Sequence, residues 1–499
     1  MKATTIWKSW QAPALLAILL LAFVLRVYQL GAQSLWYDES DRVFVASLPL
    51  GQLFHTMAEE GLEGLPLYYL VIKPFVAPFH ELAARFPSAS LGVLAVALIA
   101  QVARVLWGQR AVVPAALLLA VNPFHLWFSR DATFYSMVAL SAAGTLYYFI
   151  LLLRKPRGSF WVGLTVFSSL GLCTHYFAFA MPLVCFLYLL LTWRQNWTLL
   201  RPWALSQIVA VAPLTPWYVF VIQRGQYYFA GAPAKSPQLV ELLYTLRNFS
   251  IGDTGSITWE VPVAVAICGA MVLLATVWMV RTHQSYWGLL LLWLLLPIAL
   301  TFLMSLRLPM YVDRYLMPTL PVFILLVVGG LEALPQRWCA STLVVLLTVS
   351  IVGVVRIYTD PAYTKEDWRG VAQYIEQHEQ PGDVGIPLLY QSLEPLYGHY
   401  YRGQVPLKPV QLGQEVRDPA KTVEGYERAW LIVPHPHYSA HLLAQCQPFD
   451  VFDVSTYGAP PPPEYLKWLE ANRARVIKVR PFTCIEVLLF DLQASGQKP

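Results

Sequence analysis

Two adjacent carboxylates, Asp38 and Glu39 in Leu35-Trp36-Tyr37-Asp38-Glu39-Ser40-Asp41-Arg42, follow directly on the first long apolar stretch of the chain, residues 13–30. Acids there sit where a membrane-embedded helix reaches water, so they can meet a lipid-borne substrate on one side and a soluble one on the other. Beside Trp36 and Tyr37 they are partly desolvated, which raises a carboxyl pKa and makes one of them a usable general base. The expected division of labour makes Asp38 the base, with Glu39 orienting it or binding substrate. Capping of a following helix over residues 42–48 is the simpler alternative, because acids are favoured at helix N-termini.

Further candidates fall on the same side of the membrane in the topology developed below. Asp131, in Phe128-Ser129-Arg130-Asp131-Ala132-Thr133-Phe134-Tyr135, reads as a second substrate-holding carboxylate or as half of a structural Arg130–Asp131 pair at a helix end. Cations matter because a phosphate leaving group gains charge as its bond breaks. Arg314, followed by Tyr315 in Val312-Asp313-Arg314-Tyr315-Leu316-Met317-Pro318, is the best placed, since a guanidinium grips phosphate through two parallel hydrogen bonds. Lys73, Arg130 and Arg307 are weaker candidates that would serve equally as side chains snorkelling to headgroups. His175, in Thr174-His175-Tyr176-Phe177, reads as a hydrogen-bonded turn residue or a phosphate ligand. None of these residues requires a metal, and the acids are compatible with a divalent ion.

The elements that must carry these residues are membrane helices. Of 499 residues, 57% are hydrophobic and only 13% charged, and mean hydropathy is +0.50. That is about half the charge of an ordinary globular domain. Apolar runs near the ~20 residues needed to cross the hydrocarbon core recur at 13–30, 84–106, 111–128, 133–153, 160–174, 176–193, 201–223, 259–280, 286–305, 315–333 and 338–357, giving about eleven spans. The first lacks a small-residue cleavage site and leads into the acidic motif, so it is expected to be a span rather than a processed leader. With Lys2 and Lys8 inside, every second connection is short and basic: Arg104 and Arg110; Arg154, Lys155 and Arg157; Arg194 and Arg201; Arg281; Arg337. The opposite face then collects the first outer loop (31–83), the Arg130–Asp131 turn, His175, segment 224–258, the turn 307–314 and the C-terminal region. This alternation requires residues 65–79, broken by Pro66, Pro74 and Pro78, to form an interfacial helix and not a span.

After residue 357 charges, prolines and short β-branched runs replace the apolar helices. Residues 358–499 are expected to form a soluble α/β domain beside the membrane domain of residues 1–357. Asp367-Trp368-Arg369 opens an amphipathic helix; strands are expected at 384–390, 429–433, 475–480 and 485–491, and Gly458 to Pro463 makes a stiff connector. Cys173, Cys185, Cys268 and Cys339 read as small buried hydrophobes. Cys446 and Cys484 would either pair in an oxidising compartment or stay free thiols. There is no nucleotide-binding glycine-rich loop and no basic run suited to nucleic acid.

These features resemble the GT-C membrane glycosyltransferases, in particular the bacterial relatives of protein O-mannosyltransferases and of the lipid A aminoarabinose transferase. The resemblance runs through Asp38-Glu39, Gly64-Leu65-Pro66-Leu67-Tyr68-Tyr69, Arg85-Phe86-Pro87-Ser88, Ser129 to Tyr135, His175-Tyr176-Phe177, Arg314-Tyr315 with Pro318, and Asp367-Trp368-Arg369. It implies an inverting transfer of a sugar from a polyprenyl-phosphate donor to an acceptor hydroxyl on a glycan, lipid or protein. Asp38 would be the base, and the C-terminal domain would lie on the periplasmic face of a bacterial inner membrane. The chain departs from the family pattern at Leu65-Pro66, where Pro-Pro is usual, and at Thr133, where Arg is usual. Two other classes compete. A transporter or flippase of a lipid-linked sugar favours charges at the bilayer midplane and repeat-related halves. A non-catalytic membrane scaffold explains the C-terminal domain but leaves the outward-facing acids unused.

Overall fold

Apolar runs fold as helices in a bilayer because only a helix satisfies its own backbone polar groups there, and helices dominate this chain. The computed structural model describes residues 2–60, 64–76, 80–223, 236–252, 258–308, 310–389, 393–408, 410–411, 419–434 and 463–493. The chain begins with α1 (Lys2–Val27), followed by three short helices, α2 (Tyr37–Ser47), α3 (Leu50–Glu60) and α4 (Pro66–Ile72). Then come α5 (Glu81–Trp107), α6 (Val112–Ala120), α7 (Pro123–Ser129), α8 (Tyr135–Arg154), α9 (Gly158–Leu172), α10 (Ala180–Leu191), α11 (Trp193–Val211) and α12 (Thr215–Gln223). The helical part closes with α13 (Val240–Ile251), α14 (Glu260–Arg281), α15 (Trp287–Ser305), α16 (Leu320–Ala333) and α17 (Gln336–Thr359).

Among the described residues, seven helical stretches are long and apolar enough to cross a membrane: Glu81–Trp107, Tyr135–Arg154, Trp193–Phe220, Glu260–Arg281, Trp287–Ser305, Asp313–Ala333 and Gln336–Thr359. Gln109–Ala120 and Pro123–Ser129, bent by 60° to each other, form a further apolar pair with the geometry of a broken span or a re-entrant loop. The break is local chemistry: Asn122 caps α7 by accepting the His125 N–H at 2.9 Å, and Pro123 occupies the first helical position. Three shorter apolar helices, Ala12–Val27, Gly158–Leu172 and Tyr176–Leu191, complete the set. Each of the eleven runs read in the sequence corresponds to one of these, and the chain is a multi-pass membrane protein. Helix α4 has seven residues. At 1.5 Å per residue it covers about 10 Å, a third of the hydrocarbon thickness, so it does not span.

The C-terminal part contains α18 (Trp368–His378), β1 (Asp383–Leu389), α19 (Leu393–Tyr400), β2 (Val410–Gln411), α20 (Pro419–Val423), β3 (Arg428–Pro434), α21 (Pro463–Ala471), β4 (Val476–Phe482) and β5 (Ile485–Asp491). The sheet order is β2-β1-β3-β5-β4. Strand β1 pairs in parallel with β2 and β3, while β5 pairs antiparallel with β3 and β4. Four strands lie where the β-branched runs predicted them; β2, two residues long, had no pattern to reveal it. Side chains alternate between the two faces of the sheet. Ile432, Val487 and Leu489 join the large apolar cluster that includes Trp368 and runs into the membrane helices, whereas Leu431, Leu488 and Phe490 pack with Trp468 and Leu469 of α21. The soluble domain is therefore continuous with the helical core through one sheet face.

Among the expected thiols, Cys173, Cys185 and Cys268 are buried and free, and Cys339 is half-buried and free. Cys484 is disulfide-bonded, so the free-thiol alternative does not apply to it. Cys446, residues 224–235 and 253–257 of the segment 224–258, and most of the proline-rich connector lie outside the described residues.

Candidate functional site

Helix α2 sets the acids in place. It starts at Tyr37, five residues earlier than the expected 42–48, so Asp38 and Glu39 lie inside its first turn. The first four backbone donors of a helix have no partner within it, and here carboxylates receive two of them. The Trp36 N–H donates to Glu39 Oε2 at 3.4 Å, and the Tyr37 N–H donates to Glu366 Oε2 at 3.1 Å. Arg42, one turn on, donates to the backbone carbonyl of Asp38 and lies over the Phe134 ring at 4.8 Å.

The two neighbours then diverge. Glu39 has no exposed surface: Arg85 of α5 grips it with Nε on Oε1 at 2.7 Å and Nη2 on Oε2 at 2.6 Å, and the Ala132 N–H donates to Oε1 at 2.8 Å. Lys365 Nζ approaches Oε2 at 3.2 Å. Burial alone would raise the Glu39 pKa, but Arg85, Lys365 and the Ala132 N–H outweigh it and hold the carboxyl at about 2. That reverses, for Glu39, the upward shift anticipated for the pair. Asp38 points the other way, with 14% of its side chain exposed, and its Oδ2 stands 3.6 Å from Arg314 Nη2. Arg314 comes from a 3₁₀ segment, Asp313–Thr319, whose first residue is anchored by the Asn248 amide donating to Asp313 Oδ2 at 2.6 Å.

Asp131 is the carboxyl that burial raises. It lies between α7 and α8, fully buried; Lys365 donates to its Oδ1, and among the described residues Oδ2 has no hydrogen-bond partner. Burial, with Glu39 adding to it, outweighs the Lys365 and Arg85 charges and pushes its pKa up to about 6. A cavity beside it is lined by Gln29, Gln33, Arg85, Arg130, Asp131 and Lys365, among others.

The remaining candidates are placed as follows. Arg130 does not pair with Asp131: its Nη1 donates to the Leu25 and Tyr28 carbonyls at 3.0 and 2.7 Å and to Tyr358 Oη at 2.9 Å, binding the negative C-terminal end of α1. Lys73 does the same for α2, donating to the Ala46 carbonyl at 3.0 Å and to that of Leu48. His175 Nδ1 accepts the Phe177 N–H at 3.2 Å, and its ring lies 4.7 Å from Phe134 and 5.3 Å from Tyr315. Burial, reinforced by Arg42 and Arg314, lowers its pKa to about 3, so it is neutral at pH 7. Its backbone bridges to Gly64, where a Cβ would come 2.9 Å from the Phe134 ring. Glycine is thus the residue that lets the first outer loop reach this turn. Among the described residues no three His, Cys, Asp or Glu side chains converge as a metal site.

Two residues that hold the acids, Arg85 and Lys365, had no assigned role in the sequence. Arg85 stood in a recognised motif; Lys365, two residues before Asp367-Trp368-Arg369, carried no signal beyond being a lone cation in the short run after the last span.

Residues 65–220 match the dolichyl-phosphate-mannose-protein mannosyltransferase family. No curated protein sequence matches the chain. The crystal structure of ArnT from Cupriavidus metallidurans bound to undecaprenyl phosphate superimposes with a TM-score of 0.61 at 14% identity, covering 98% of this chain and 99% of that one. The crystal structure of the Archaeoglobus fulgidus oligosaccharyltransferase tethered with an acceptor peptide superimposes at 0.52 and 12% identity, covering 86% and 69%. With that fold matched over nearly its whole length and the mannosyltransferase family model over residues 65–220, the chain is a multi-pass membrane protein with a GT-C fold.

Proposed function

We propose that this protein transfers a sugar from a polyprenyl-phosphate donor to an acceptor hydroxyl, with inversion, at the outer face of a bacterial inner membrane. The observation that carries the reading is the pairing of a partly exposed carboxylate, Asp38, with a partly exposed guanidinium, Arg314, 3.6 Å apart on a GT-C fold. A base and an anion-binding cation at that spacing suit a displacement at a carbon bearing a phosphate. Asp38 takes the proton of the acceptor hydroxyl as its oxygen attacks the anomeric carbon. The bond from that carbon to the phosphate oxygen breaks, and polyprenyl phosphate departs with its new charge facing Arg314. Tyr315, next to Arg314, and His175, whose ring lies 5.3 Å from it, would border the substrate, and ionised Asp131 would hold a substrate hydroxyl through its unpartnered oxygen. Because a guanidinium supplies the positive charge, the reaction needs no resident metal.

A lipid-linked donor is supported by the matched ArnT structure, which holds undecaprenyl phosphate. The outer location rests on the alternation of basic loops. The charged groups described above lie at helix ends and in loops, which favours chemistry over transport through the midplane. The test is turnover: purified protein incubated with polyprenyl-phosphate sugars and a glycolipid extract should consume the lipid-linked sugar and release polyprenyl phosphate. Retention of every donor tested, by protein shown to be folded, would return the chain to the transporter or scaffold classes.

A further inference from the structure

We propose that Lys365, carried by the short segment that leads from the last membrane helix into the soluble domain, is a positioning residue that holds Asp131 and Glu39 in place and makes docking of that domain a condition of activity. The inference rests on the glycosyltransferase reading for its kinetic consequence, though not for its structural one.

The segment lies between the end of α17 at Thr359 and the start of α18 at Trp368. Its residues bind the acidic loop one after another. The Lys365 N–H donates to Gln33 Oε1 at 3.1 Å, the Ser34 hydroxyl donates to the Glu366 carbonyl at 2.6 Å, and the Glu366 carboxylate receives the Tyr37 N–H. That last bond satisfies the first turn of α2 at the residue before Asp38. Arg369 then pairs with Glu81, which also accepts from Tyr400 Oη at 2.9 Å. Lys365 is the member of this set whose side chain turns inward, where 8% of it remains exposed, to reach two carboxylates from different elements.

Asp131 is faced by Lys365 from this segment, by Glu39 from α2, by Arg85 from α5 and by its neighbour Arg130. Arg85 is committed to Glu39 and to the Leu30, Gln33 and Ser34 carbonyls, and Arg130 to the end of α1 and Tyr358. Lys365 is therefore the cation bonded to Asp131. Without it, a buried carboxyl beside a second carboxylate keeps its proton to higher pH. A proton on Asp131 replaces the charged acceptor that its unpartnered oxygen offers a substrate hydroxyl with a neutral, weaker one.

The experiment compares full-length wild type, Lys365→Met and Lys365→Arg in kcat/KM against pH, together with melting temperature against pH. Lys365→Met should move the acid limb upward by about one pH unit or more, and Lys365→Arg should return it towards wild type. In the melting curves Lys365→Met should lose stability between about pH 6 and 8, where the unpaired Asp131 ionises, and the double variant Lys365→Met/Asp131→Asn should recover it. An unmoved acid limb, or an Arg variant no better than Met, overturns the positioning role. If the Met variant does not fold, the proposal still requires the double variant to fold; its failure to do so overturns it. If wild type consumes no lipid-linked sugar, the enzymatic reading falls while the melting curves still decide the Lys365–Asp131 coupling.

Discussion

Glu39 and Arg85 form a two-pronged ion pair in which neither side chain exceeds 2% exposure, and this pair separates the roles of two adjacent acids. A carboxylate held by both guanidinium prongs, a backbone N–H and a lysine has no free face for a substrate. Asp38, one residue earlier, keeps an open side. Along a helix, consecutive residues point about 100° apart, so one member of the pair faces the protein while the other faces the site.

Glu39 should accordingly behave as a structural residue. Glu39→Gln leaves the Arg85 guanidinium buried without its counter-charge, which costs about 3–5 kcal/mol when one partner of a buried pair is lost. The measurement is melting temperature and detergent-solubilised yield. A Glu39→Gln protein as stable as wild type, with turnover lost, would instead make Glu39 a reacting group.

The outcome for pH follows from the opposite signs of Glu39 and Asp131. Burial holds the Asp131 carboxyl at about 6, above its ordinary 3.8. The native state thus keeps a proton that the unfolded chain releases, and stability from this residue falls as pH rises from about 4 to about 6. Glu39, held at about 2, works in reverse: its contribution is present above its ordinary 4.5 and is lost as pH falls towards 2. Asp131→Asn should flatten the melting temperature between about pH 4 and 6 while leaving the acid-side loss below about pH 4 intact. An unchanged slope in Asp131→Asn would remove Asp131 as its source.

Much of this arrangement was legible in the sequence because it is written locally. Eleven apolar runs and four β-branched runs carry their own periodicity, and the acid pair stands out against an apolar background. What stayed hidden depends on partners far along the chain. Helix α2 begins at Tyr37 because Glu366, 329 residues away, receives its N–H. Lys365 becomes a site residue only because the soluble domain docks, bringing it to an aspartate 234 residues away. The Arg130-Asp131 dipeptide suggested an ion pair, yet neighbours in a turn point apart, and each side chain found its partner elsewhere.

Topology gives an independent check. The basic loops alternate, so alkaline phosphatase fused after residue 358 should be active, and a cytoplasmic reporter fused at the same point should be silent. The reverse pattern would put the acids on the cytoplasmic side and remove the proposed donor face.

The leaving-group role of Arg314 separates charge from geometry. Arg314→Lys retains the cation facing Asp38 but loses the planar fork, so donor use should fall by about 1–3 kcal/mol, read in kcat/KM for the lipid-linked sugar. Arg314→Ala should fall further, with acceptor KM little changed. Unaltered donor kinetics in both variants would take Arg314 out of the site.

Asp38 is the residue on which the mechanism depends. Its carboxylate faces Arg314, whereas the capping contact of the acid pair at the start of α2 is made by Glu39 to the Trp36 N–H. Asp38→Asn preserves shape and can still accept a hydrogen bond, but it cannot take up a proton at neutral pH. The variant should insert and melt like wild type, because the partly exposed Asp38–Arg314 contact at 3.6 Å is loose and contributes about 0–1 kcal/mol. Turnover should nevertheless drop at least ~10²-fold, the scale of general-base catalysis. Donor binding, read as protection of the protein by polyprenyl-phosphate sugar, should persist because Arg314 remains. A folded Asp38→Asn protein that turns over near the wild-type rate would leave the acid as a helix-end charge and transfer the search for a base to Asp131, whose Oδ2 has no hydrogen-bond partner among the described residues.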